Sequence, residues 1–186
     1  MTSLRLHFAS VLGTGSVFLL TLWFNQSVFT DLEFAPGVHW IYVPAGVRLL
    51  CILLLGDNGA LGVLLAIWLV DIFLIFPDDP IQAFIRGLIA TAAPYLVYRY
   101  ARARYDFNVS LANLTPKRLL LLVFGNAIAS SVLHQIWFCI EGDTERLLQR
   151  SAVMLMGNLM GGLIVIYCMK GMVMLFDSTR RRWPMH

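Results

Sequence analysis

The chain has 186 residues, of which 59% are hydrophobic and 13% charged, and its formal net charge is +3. That is far more apolar surface than one soluble core of this length can bury, so the composition is that of an integral membrane protein. With no polar block of even about 40 residues, there is no room for a kinase-like, catalytic or nucleic-acid-binding domain, and the basic residues gather near span ends, where they set membrane orientation.

A membrane span needs about 20 apolar residues. On that ruler the chain reads as one transmembrane domain over 1–186, an all-α six-helix bundle with short loops. The first span is 6–24. Arg5 precedes it, but the run ends in Trp23-Phe24-Asn25-Gln26 without a small-x-small cleavage pattern, so it reads as an uncleaved helix. Gly13, Gly15 and Ser16, with Ala9 four residues before Gly13, form a small-residue face suited to packing within the bundle rather than to docking a partner. The link from Asn25 to His39 carries Asp31 and Glu33 and no Lys or Arg, and Trp40 and Tyr42 stand where an aromatic belt would sit. It reads as an outer loop.

The second span, 41–55, is short and holds Arg48 well inside it, just after Pro44-Ala45-Gly46. An ionised Arg in hydrocarbon costs at least about 2.5–3.5 kcal/mol, so Arg48 requires a carboxylate, a water-filled cavity or a bound anion. Pro44 removes a backbone donor and Gly46 admits a close neighbour, which is tolerable only where protein or a lined cavity satisfies the freed groups. Gly56-Asp57-Asn58-Gly59 is a tight-turn signature.

The third span, 60–76, carries Asp71 near its outer end and stops at Pro77-Asp78-Asp79-Pro80, which reads as a helix cap in preference to a metal site. The fourth, 81–100, carries Arg86 near its outer end and Pro94 in its middle, where a kink is expected. It leads into a basic link ending at Thr115-Pro116-Lys117-Arg118, a helix start. The fifth, 119–140, has a polar stripe of Asn126, Ser130, His134 and Cys139. The first three are spaced by four and face inward, and a hydrogen-bonding role is expected for His134. The sixth, 152–176, places Asn158 beside a Gly157/Gly161 close-approach face and ends at a basic anchor, Arg180 to Trp183. Cys51, Cys139 and Cys168 have no metal or CxxC spacing and read as small buried hydrophobes.

Ten basic residues (Arg5, Arg99, Arg102, Arg104, Lys117, Arg118, Lys170, Arg180, Arg181, Arg182) fall on one side of a six-span topology, against Arg146 and Arg150 on the other. Both termini are therefore expected on the cytoplasmic side of a bacterial inner membrane. Asp71 lies five residues before Phe76 and Arg86 five after Ile81, which puts them at similar depth on antiparallel neighbours, with Arg48 slightly deeper. One carboxylate for two guanidiniums leaves a positive site unless another acid, such as Glu141, or an anionic ligand completes it. The competing expectation is a structural salt bridge between Asp71 and one Arg. The candidate ligand-binding residues are Arg48, Asp71, Arg86, His134 and Asn158.

Pro44-Ala45-Gly46, the Leu-rich run to Gly56, and Gly157, Asn158, Gly161 and Gly162 together resemble the first type of bacterial membrane-associated sensor domain. Val43 stands where that family has a first proline and Asn158 where it has an acid, and the family has eight spans fused to a signalling output domain. The resemblance implies a sensory or ligand-binding membrane module that signals through a separate partner protein. Two other readings stand beside it: a substrate-capturing subunit of an energy-coupling-factor transporter, which Ala9 and Gly13 fit loosely, and a structural accessory subunit. No nucleophile–base set, metal cluster or phosphate loop can be assembled, so neither enzyme activity nor a cofactor or metal is expected. The expected partners are membrane lipids, a membrane protein and a small anionic or polar ligand, and no nucleic acid.

Overall fold

A computed structural model of the chain describes residues 2–35, 37–105, 115–142 and 145–182, with side chains over 4–35, 37–104, 115–142 and 145–172. Its helices are α1 (Thr2–Phe29), α2 (Val43–Leu55), α3 (Asp57–Val70), α4 (Pro80–Tyr105), α5 (Pro116–Glu141) and α6 (Leu147–Arg182). They run alternately between two ends of one bundle. At one end His7 Nδ1 meets Asn58 Nδ2 at 2.8 Å and Tyr95 Oη donates to Asp57 Oδ1 at 2.9 Å, so the start of α1, the α2–α3 turn and the second half of α4 lie together. At the other end Gln82 Nε2 donates to Glu141 Oε1 at 2.6 Å, joining the start of α4 to the end of α5.

The helices overrun the apolar windows because their polar ends have caps of their own. Asp79 Oδ1 accepts from the Gln82 amide at 3.0 Å and opens α4 at Pro80, and Thr115 Oγ1 accepts from the Arg118 amide at 3.4 Å and opens α5 at Pro116. Pro77 to Pro80 is thus a capping turn, and among the described residues no three possible ligands gather into a metal site. α4 continues through Pro94. Trp183 of the expected terminal anchor lies outside the described residues.

Among the described residues five helices are long and apolar enough to cross a membrane: α1, α3 with the turn that follows it, α4, α5 and α6. The expected second span is the exception. α2 has 13 residues, about 20 Å at 1.5 Å per residue, against a hydrocarbon core of about 30 Å. Ahead of α2, where a loop is expected, the chain forms a two-stranded antiparallel hairpin of β1 (Glu33–Ala35) and β2 (Val38–His39) that pairs Glu33 with His39 and Ala35 with Val38. Gly37 turns it at φ +77°, and its amide donates to Glu33 Oε1 at 3.0 Å. The hairpin is plugged into the bundle by Val38, 1% exposed, which packs with Phe138 of α5 and Val153 and Met154 of α6.

Buried Asn25 anchors the far side, its Oδ1 accepting from the Val43 amide at 3.0 Å where Pro44 leaves the helix start short of donors. The small residues of α1 divide: a Cβ on Gly15 would lie 3.3 Å from the Gly62 carbonyl oxygen, whereas Ala9 and Gly13 are exposed and a Cβ on Gly13 would meet nothing within 4 Å. Large apolar side chains cover the outside of the bundle, Leu4, Phe8, Leu20 and Trp23 of α1 among them at 66–75% exposure. A continuous apolar exterior of this kind belongs to a multi-pass membrane protein. Cys139 and Cys168 also lie on it, so of the three cysteines only Cys51 is even partly buried, and Cys139 departs from the inward stripe of α5.

Candidate functional site

Below the hairpin lies a partly open cavity of about 100 Å³. Arg48 of α2, Asp71 after α3, Arg86 of α4, His134 of α5 and Asn158 of α6 all line it, each delivered by a different element. All five sequence-derived candidates therefore share one space. Asp71 sits at the first position of a π-helical turn, Asp71–Ile75, in which the Phe76 amide donates to the Asp71 carbonyl at 2.7 Å. Such widened turns re-aim side chains and recur at functional sites.

The expected salt bridge is not formed. Among the described residues neither Arg48, Arg86 nor Asp71 makes an ion pair within 4.0 Å. Arg48 is 3% exposed, with its Nε buried and unpartnered. Arg86 is held by ring faces and backbone instead: its guanidinium carbon lies 4.6 Å from the centroid of Phe76 and 5.9 Å from that of Phe138, and Nη2 abuts Gly37. Glu141, considered above as the completing acid, is exposed, bound to Gln82 and not part of the lining.

His134 Nδ1 donates to the Ser130 carbonyl at 2.8 Å, which leaves Nε2 of the neutral ring as an acceptor. Asn126, Ser130 and His134 are all buried, as their spacing predicts. Asn158, 4% exposed, has its Nδ2 buried without a partner. The glycines beside it receive backbone: a Cβ on Gly157 would collide with the His39 carbonyl oxygen and one on Gly161 with that of Tyr42, while the Tyr42 amide donates to the Gly157 carbonyl at 3.1 Å. The close-approach face of α6 thus fits the extended segment leading into α2.

No known protein family matches the chain, nor does any curated protein or solved structure. What the cavity can do rests on its own chemistry.

Two lining residues escaped the sequence reading. Tyr42, assigned to an aromatic belt, is partly buried and stacks on His39, ring centroids 5.5 Å apart and planes 6° from parallel. The only sequence signal was their nearness to Pro44. His39 is 7% exposed, its Nε2 3.8 Å from Glu33 Oε1 and its Nδ1 buried without a partner.

Proposed function

We propose that the protein is a stand-alone sensory or ligand-binding module of the bacterial cytoplasmic membrane that captures a small anionic molecule in this cavity and acts through a partner protein. One observation carries the reading: a fully buried guanidinium, Arg48, without an ion partner, opens onto a cavity lined by four further polar residues from four other elements. A buried charge is retained at such cost only where something compensates it, and a ligand is the compensation that the protein groups do not supply. A purely structural accessory role is disfavoured, because polar residues that merely knit helices together would be paired with one another.

The transport-subunit reading is favoured by the open Ala9/Gly13 side of α1, which leaves room for a coupling subunit. Co-purification separates the two: an ATPase pair supports transport, and a kinase or cyclase supports sensing.

In the membrane, the alternating helices make six crossings. α2 and the hairpin together form the second, and the end carrying Arg5, Arg99 and Lys117 faces the cytoplasm. In a cysteine-free background, labels at Asp78 and Arg104 should react from opposite sides; labelling from one side would sink this topology. For the function itself, native mass spectrometry of the protein released from nanodiscs should find a small retained adduct that is lost in a folded Arg86→Gln variant. A wild type with no adduct, whose melting temperature no added anion changes, would overturn the proposal.

A further inference from the structure

We infer that the ligand is a single small monovalent oxyanion of trigonal, carboxylate-like geometry, in the class of formate, bicarbonate, nitrate and acetate, and that Asp71 sets this charge selectivity. The inference rests on the ligand-site reading above and narrows it to a chemical class.

Size sets the first limit. A cavity of about 100 Å³ has room for roughly three waters, or for one ion of roughly three to six non-hydrogen atoms at protein packing density. Nucleotides, quinone rings and lipid headgroups with their phosphates exceed it.

Charge sets the second. The ionisable groups facing the cavity are Arg48, Arg86, Asp71, His39, Tyr42 and His134. His134 is committed through Nδ1 to a carbonyl and His39 stacks on Tyr42, so the charges of the lining itself are two guanidiniums and the Asp71 carboxylate, one positive charge in excess, with Glu141 outside the lining. In a poorly solvated site the stable occupied state is the neutral one. A monoanion gives neutrality, whereas a dianion overshoots it.

The unpartnered groups set the third. Arg48 Nε and Asn158 Nδ2 are both donors, both buried and both without an acceptor among the described residues, and His39 Nδ1 of the same lining is likewise unpartnered. Two separate donors suit an anion with more than one oxygen, which can accept from each, where a halide offers a single centre. His134 Nε2 adds an acceptor, so within the class a member bearing a hydroxyl, such as bicarbonate, gains one further bond.

The test measures binding of formate, acetate, bicarbonate, nitrate, chloride, sulfate and oxalate, as sodium salts at constant ionic strength, by calorimetry and thermal shift on nanodisc-embedded protein. The wild type is expected to bind the trigonal monoanions at least tenfold more tightly than sulfate, oxalate or chloride. Asp71→Asn raises the site charge by one unit and is expected to reverse the order, with oxalate or sulfate gaining at least tenfold relative to acetate. Preference for dianions in the wild type, or a ratio unmoved by Asp71→Asn in a folded variant, overturns the inference while leaving an anion site in place. If Asp71→Asn does not fold, the wild-type series decides alone: equal affinity for acetate, chloride and sulfate overturns it. Absence of binding by every anion defeats the underlying ligand-site reading instead.

Discussion

Arg48→Met is expected to make the unliganded protein more stable while abolishing retention of anions. The two halves of that result have one cause. Arg48 is 3% exposed and makes no ion pair within 4.0 Å among the described residues, so the cost of removing its charge from water is offset at a distance, by Tyr42 and Asp71 of the same cavity. Replacing buried ionic groups by well-packed apolar side chains of similar volume has gained about 1–4 kcal/mol in other proteins. Met follows the course of the Arg stem, and Asp71 keeps Arg86 in the shared cavity. The rise in melting temperature should disappear when wild type and variant are compared in saturating ligand, because only the wild type is then stabilised by binding. A variant that melts lower than the unliganded wild type would instead mean that Arg48 is a structural ion.

Gly161→Ala is expected to prevent folding. The added Cβ would occupy the position of the Tyr42 carbonyl oxygen, with the Val43 nitrogen 2.8 Å away, and both are backbone atoms at the anchored start of α2. Overpacking against yielding side chains costs about 1–3 kcal/mol, and a collision between backbones has no such relief, so the loss should exceed about 3 kcal/mol. Gly157→Ala, which meets the His39 carbonyl, should behave alike. Gly13→Ala is the internal control: it meets nothing within 4 Å and replaces a glycine inside a helix, so it should be neutral or stabilising by up to about 1 kcal/mol. Gel-filtration yield and melting temperature of the three variants check the set. A monodisperse Gly161→Ala with wild-type melting would show that α6 and the extended segment are not in contact.

The parts of the site legible in the sequence were those with a large transfer cost. Arg48, Asp71 and Arg86 stand out in apolar runs because hydrocarbon penalises charge, and counting along antiparallel helices was enough to bring Asp71 and Arg86 to one depth. His134 and Asn158 followed from the periodicity of polar positions and from the glycines.

What stayed hidden has no such penalty. Glu33–Ala35 and Val38–His39 are too short for strand periodicity and lie in a polar stretch that suits a loop equally well. Asn25 sits 18 residues before the Val43 amide that it satisfies, a long-range bond with no local pattern. The expected Asp71 salt bridge failed because proximity along the bilayer normal does not fix direction. Arg86 turns toward Phe76 and the hairpin turn, while Asp71 stays in the shared cavity without closing to within 4.0 Å of either guanidinium.

The fit between the α6 glycines and the His39–Tyr42 backbone has a mechanical side. That segment roofs the cavity and rests directly on a helix that runs unbroken through 36 residues, about 54 Å at 1.5 Å per residue. A helix is stiff along its axis. With carbonyl oxygens seated against Gly157 and Gly161, the roof has no compliant side chain in which to absorb a displacement. Any movement of the roof therefore moves the α6 backbone at Gly157 and Gly161 with it, and the helix carries that shift along its length.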